Sequence, residues 1–184
     1  SEMCIRDRSF VALNGKSPSI VHIATHGFYY TPDEAKDKDF LSGYTDAMSL
    51  SGLVFAGGNA AWLGKKNVDG VLGGVLTAKD IANLDFKGTE LLVLSACKTG
   101  QGKVTAEGVF GLQRAFKKAG VGTIIMSLWN VDDKVTSEFM VAFYEQLTDK
   151  ANNWNKRKAF EQTKEIIRKK HPDPYYWAAF VMLD

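Results

Sequence analysis

Three short apolar runs stand out along the chain: Ser19–Thr25 (SIVHIAT), Glu90–Ala96 (ELLVLSA) and Gly122–Leu128 (GTIIMSL). Near-continuous apolar runs of this length predict strands of a parallel sheet covered by helices on both faces. Each run stops at residues of a different kind, His26-Gly27, Cys97 and Trp129-Asn130. Between the second and third runs, Glu107–Ala119 carries Val109, Leu112 and Phe116 at helical spacing, with Phe110 and Ala115 widening the stripe. Gly120 follows Lys117-Lys118 as a C′ glycine after a cationic last turn, so strand, helix and strand read as one right-handed crossover.

The same periodicity predicts a helix over Lys134–Leu147, with Val135, Phe139, Phe143 and Leu147 on one stripe. A second is predicted over Asn155–Lys170, with Ala159, Ile166 and Ile167 facing inward. Thr77 with Asp80 has the form of a capping box opening a short helix to about Leu84. The last apolar run, Tyr176–Leu183, reads as a closing strand. Phe28–Gly74 differs from the rest: it is polar and carries Gly52, Gly57, Gly58, Gly64, Gly70, Gly73 and Gly74, with one short apolar run at Gly52–Ala56. It reads as a long insertion with a hairpin, the kind that builds a binding surface or lid at a strand end. The fold class is therefore α/β.

Composition narrows the function. The 184 residues are 45% hydrophobic and 24% charged, the make-up of a folded domain of ordinary size. A net charge of +2 is too balanced for non-specific phosphate binding, which argues against nucleic acid as a direct partner. The cationic helix bearing Lys156, Arg157, Lys158, Lys164, Arg168, Lys169 and Lys170 reads as a solvated face. Two cysteines, Cys4 and Cys97, make no disulfide framework, and three histidines leave little for a metal site. A reducing, cytoplasmic setting without metal or cofactor is expected. The apolar runs fall far short of the roughly 20 residues that cross a bilayer, so no membrane partner is expected. Ser1–Arg8 (SEMCIRDR) has no apolar stretch and reads as a foreign or frayed leader, leaving Cys4 without a role.

In a parallel α/β sheet the ligand crevice lies beyond the carboxyl ends of the strands, where His26 and Cys97 both emerge. A thiol of pKa about 8.5 is mostly protonated at neutral pH and needs a base or cation beside it to act as a nucleophile. His26 is the available base. Attack on a peptide carbonyl also needs donors for the developing oxyanion; Gly27 offers an amide with no side chain in the way, and the Cys97 amide is a second. His22 falls mid-strand and is expected to be packed, and His171, beside Pro172, to be solvated. Gly100 and Gly102 lack the Lys-Ser/Thr of a phosphate cradle and read as turn residues.

The stretches HIATHGFYY (His22–Tyr30), SGLVFAGGN (Ser51–Asn59), LLVLSACKTGQG (Leu91–Gly102), EGVFGLQRAFKKAGVGTIIMSLWNVDD (Glu107–Asp133) and YYWAAFVMLD (Tyr175–Asp184) resemble, in this order, the CHAT domain family. These are caspase-like cysteine peptidase domains of clan CD, related to caspases and separases and often fused to tetratricopeptide repeats. The resemblance implies a three-layer α/β/α sandwich with a mainly parallel central sheet. It implies cysteine endopeptidase activity on a protein or peptide substrate, with His26 as catalytic histidine and Cys97 as nucleophile. It further implies an oxyanion hole at the amides of Gly27 and Cys97, no third triad member, and a fused or associated repeat or sensor domain as activator. Family members carry further strands and helices before the histidine strand, where here about ten residues (Ser9–Pro18) stand, so an N-terminal part is expected to be missing. A regulatory interaction module with an idle dyad is the rival reading.

Trp129-Asn130-Val131-Asp132-Asp133 follows the third run, where separases show a similar stretch. The resemblance makes Trp129, Asp132 and Asp133 candidates for the pocket that takes the side chain before the cut, and a carboxylate there would favour Arg or Lys. Against this, either Asp132 or Asp133 is well suited to cap the helix that starts near Lys134. Because Phe28–Gly74 begins directly after His26-Gly27, its ordering by a partner is expected to set activity, which would be low at rest.

Overall fold

The structure, a computed structural model, describes residues 7–36, 41, 43–58, 73–95 and 106–184. By its internal contacts the chain falls into two compact units, Ser1–Ile124 and Ile125–Asp184.

In the first unit, β1 (Ile20–Ile23) and β5 (Leu91–Leu94) pair in parallel with Ile20 opposite Leu91 and Ile23 opposite Leu94. All four residues of β5 are buried, as a strand covered on both faces requires. The start of β6 (Thr123–Ser127) joins β5 through the Thr123 amide, which donates to the Glu90 carbonyl at 2.9 Å. The expected α/β class with a mainly parallel central sheet is thus what the chain forms.

His26 and Gly27, expected just beyond a strand end, instead open a strand of their own. Beyond a bend at Ala24-Thr25, β2 (His26–Tyr29) pairs antiparallel with β3 (Ser51–Val54), and β3 pairs antiparallel with β4 (Val75–Thr77). The segment after His26 therefore contributes two strands of a three-stranded sheet. Gly52, at the centre of β3, is required by close approach: a Cβ there would lie 2.2 Å from the Leu76 carbonyl oxygen and 2.8 Å from the Phe28 ring. Phe28, Tyr30, Ala35, Leu41, Leu50 and Val75 form the core beneath this sheet.

Helix α1 (Asp7–Val11) begins within the stretch that shows no periodicity in sequence, and Phe10 carries its attachment: the ring is 3% exposed and stacks on Phe55 and Phe86. After β2, Thr31 caps the short α2 (Pro32–Ala35), and after β4, Thr77 with Asp80 forms the expected capping box of α3 (Ala78–Ile81). Helix α4 (Ala106–Lys118) buries Leu112, Ala115 and Phe116 of the expected stripe; the side chains of Val109 and Phe110 lie outside the described residues. It ends in a Schellman motif: the Val121 amide donates to the Phe116 carbonyl, the Gly120 amide to the Lys117 carbonyl, and Gly120 has φ +99°. The glycine is there because a residue with a Cβ resists this left-handed turn.

In the second unit, α5 (Asp133–Thr148) buries Val135, Phe139, Phe143 and Leu147 as its pattern predicts. Helix α6 (Lys156–Lys170) buries Ala159 and Ile167, but Ile166 is 41% exposed and Phe160 and Thr163 take its place. Ile166 sits at the edge of the stripe, and the 159-163-167 ridge faces inward. The expected strand over Tyr176–Leu183 is shorter. Asp173 caps a one-turn helix α7 (Pro174–Trp177) by accepting from the Tyr175 amide, Pro174 suits its first turn, and only β7 (Phe180–Leu183) is extended. The Leu128 amide donates to the Ala179 carbonyl ahead of β7, and Phe180 stacks on Phe139 with ring centres 3.9 Å apart.

Candidate active site

His26 is placed by its strand partner and by the residue before it. It stands opposite Val54 in the β2–β3 register, and the preceding residue, Thr25, donates its hydroxyl to the Val54 carbonyl. The ring itself is exposed, and among the described residues no side chain engages it. Gly27 is buried opposite Leu53. An imidazole fixed at its root and open at its tip can exchange a proton with a bound substrate or a neighbouring thiol.

His26 lies on a cleft of 680 Å³ whose wall is apolar, formed by Phe10, Leu13, Val21, Ile23 and Phe55. His22 lines the same cleft. Contrary to the expectation of a packed residue, it is exposed, because the cleft runs along β1; its Nε2 lies 2.9 Å from Ser95 Oγ. Enough protein surrounds the ring that desolvation still lowers its pKa from 6.5.

The chain reaches Cys97 from Ser95, the residue after β5. Ser95 is fixed to the end of β1, its amide donating to the Ile23 carbonyl at 2.9 Å. Cys97 and its amide, Gly100 and Gly102 lie outside the described residues, as does Cys4.

The remaining candidates belong to the second unit. Asp132 Oδ1 accepts from the Lys134 amide at 2.9 Å and the Val135 amide at 3.3 Å, so its carboxylate caps α5. Asp133 is the first helical residue and is exposed. Trp129 is half-buried; its indole N–H donates to the Tyr175 carbonyl at 2.9 Å, and the Tyr175 hydroxyl returns a bond to the Asn130 carbonyl at 2.6 Å. His171, expected to be solvated, is instead paired: its Nε2 lies 2.8 Å from Glu138 Oε2, which Lys170 Nζ also reaches at 3.0 Å. Hydrogen bonds from His171 and Lys170 lower the Glu138 pKa from 4.5. The two misplaced histidines share a cause: their partners, Ser95 and Glu138, are distant in sequence, and only alignment of β1 with β5, or of α5 with the end of α6, brings them close.

The chain thus has a mainly parallel α/β sheet, with His26 three residues past the end of β1 and, in sequence, Cys97 three residues past the end of β5. A sequence model of the CHAT domain matches residues 4–184, and the chain belongs to that caspase-like family. It is 32% identical over 111 residues to tetratricopeptide repeat protein 28 of Homo sapiens, and 31% over 111 residues to the Mus musculus protein of the same name. Each match covers 59% of this chain and 4% of the relative, so the chain corresponds to a small part of those proteins.

No helix among the described residues is long and apolar enough to cross a membrane.

Proposed function

We propose that the chain is a cysteine endopeptidase domain in which His26 activates Cys97 for attack on a peptide carbonyl. The observation that carries this reading is the setting of His26: an exposed imidazole on a cleft, at the start of β2 and three residues past the end of β1, to which Ser95, two residues before Cys97, is tied. In this reading the Cys97 thiolate adds to the carbonyl carbon and the oxyanion is met by the amides of Gly27 and Cys97. The tetrahedral intermediate then expels the amine, which takes a proton from His26, leaving a thioester that water hydrolyses. The domain would work in a cytoplasmic, signalling context of bacterial type, controlled by a repeat or sensor domain that acts on the 28–74 segment beside His26. That the relatives are named for tetratricopeptide repeats supports a repeat partner.

The test is a Cys97→Ala variant and a His26→Ala variant, each assayed with the activating partner present. Both are expected to lose peptide cleavage, and Cys97→Ala to lose labelling by a thiol-reactive peptide electrophile. Cleavage retained by Cys97→Ala would overturn the reading. Tight partner binding with no cleavage of a broad peptide library by the unmodified protein would assign it to the interaction-module class.

A further inference from the structure

We infer that His22 and Ser95 form a positioning clamp that holds the start of the Cys97 segment, an inference that rests on the dyad reading above. His22 stands opposite Val93 in the β1–β5 register, and its side chain reaches two residues further along to Ser95 Oγ at 2.9 Å. The Ser95 amide is bonded in turn to the carbonyl of Ile23, the residue after His22. Ser95 is therefore held by its backbone and by its side chain, both from β1, two residues before Cys97 and just beyond the last strand residue of β5.

The chemistry gives the clamp a purpose. A thiol gains from a histidine only while the two stay within hydrogen-bond reach, and errors of about 1 Å weaken such an arrangement strongly. His26 has its own anchorage through Val54. The nucleophile's segment needs a separate one, and the hydrogen bonds from β1 supply it at Ser95. A backbone bond alone fixes where the strand ends. The added bond to the hydroxyl ties the Ser95 side chain to β1 as well, so the last described residue before Cys97 is held at two points. His22 suits this task as a neutral ring, since its surroundings disfavour the charged form. Neither residue touches the reacting atoms in this scheme; both act through the position of Cys97.

The experiment reads Cys97 directly, without a substrate. In a Cys4→Ser background Cys97 is the single thiol, and its alkylation by iodoacetamide at pH 7 reports the thiolate fraction. Loss of activation returns the thiol toward a pKa of about 8.5, where only a few per cent is ionised, so a slowing of about tenfold is expected. Ser95→Ala and His22→Phe are each expected to show that slowing, and the double variant to be no slower than either. Ser95→Thr and His22→Gln, which keep a hydrogen-bonding group in reach, are expected within about twofold of the parent, a rescue that a merely structural role does not predict. Should His22→Phe fail to fold, the Ser95→Ala and Ser95→Thr pair decides alone. Parent-like rates in the single variants, with His26→Ala slow, would overturn the clamp and leave the dyad standing. Slowing that multiplies in the double variant would also overturn it. A His26→Ala rate equal to the parent's would overturn the dyad reading, and the clamp with it.

Discussion

His26 in the first unit and His171 in the second meet opposite fates. In the second unit the polar groups near helix ends are committed to structure: Asp132 caps α5, Asn155 caps α6, and His171 pairs with a Glu138 carboxylate that Lys170 also holds. In the first unit, His26 is fixed through backbone and a neighbour's hydroxyl while its ring stays open on the cleft. A histidine paired to a carboxylate stabilises an arrangement. One anchored only at its root remains available to a substrate. Residue type does not separate the two cases; what their neighbours do with them does.

The largest test of this contrast is steric. Gly52→Ala places a methyl group 2.2 Å from a backbone carbonyl that has no rotamer to give way, so a destabilisation of about 3 kcal/mol is expected from overpacking. Because β3 registers β2, His26 should also lose its fixed position, seen as a shift of its imidazole NMR signals at temperatures where the fold persists. Unchanged signals would mean that β3 does not position His26.

A smaller effect is expected at Asp132. Its replacement by Ala should cost about 1 kcal/mol through the lost cap, read as a lower urea midpoint, with the preference for the residue before the cut unchanged. Asp133→Asn should leave stability within a few tenths of a kcal/mol, about the scale of surface changes. If it removes a preference for Arg or Lys, the pocket role falls to Asp133.

The smallest effects are in pH. The folded pKa of His22 lies below 6.5, so the unfolded chain takes up the proton first as pH falls. Stability attached to a neutral His22 is whole above 6.5 and is lost on acidification toward the folded value, a slope that His22→Gln should remove. Glu138 has the acid counterpart at lower pH: its stabilisation is whole above 4.5 and is lost as pH falls through its depressed folded value. Glu138→Gln should therefore differ from the parent at pH 7 and converge with it in strong acid, as followed by urea unfolding. A difference that persists in acid would assign the loss to packing.

Much of this was legible in the chain because the signals are local. Continuous apolar runs mark β1, β5 and β6, the i, i+4 stripe of α5 is complete in the sequence, and Thr77-Asp80 and Gly120 mark a cap and a stop. The resemblance to a known family implies a pairing of His26 with Cys97, which spacing alone leaves open. What escaped depends on contacts between distant segments. Phe10 is one aromatic in a charged stretch, and its role appears only once Phe55 and Phe86 surround it. Residues Tyr176 and Trp177 are as strand-like as Phe180 in composition, but Pro174 and the Asp173 cap turned them into helix. His22 and Ser95 give no signal until β1 and β5 lie in register.

That register carries a consequence for how the molecule is made. β1 and β5 are separated by the whole β2–β3–β4 sheet, and joining them closes a long loop, whereas α5 and α6 are linked by a short turn through Lys150–Asn152. Loop closure opposes the distant pairing and favours the local one, so the helical pair can assemble early and the parallel pair late. The edge where Ser95 meets β1 is then among the last parts of the fold to form. On refolding of the whole chain from denaturant, the α5–α6 pair is therefore expected to gain protection from hydrogen exchange before the β1–β5 edge does.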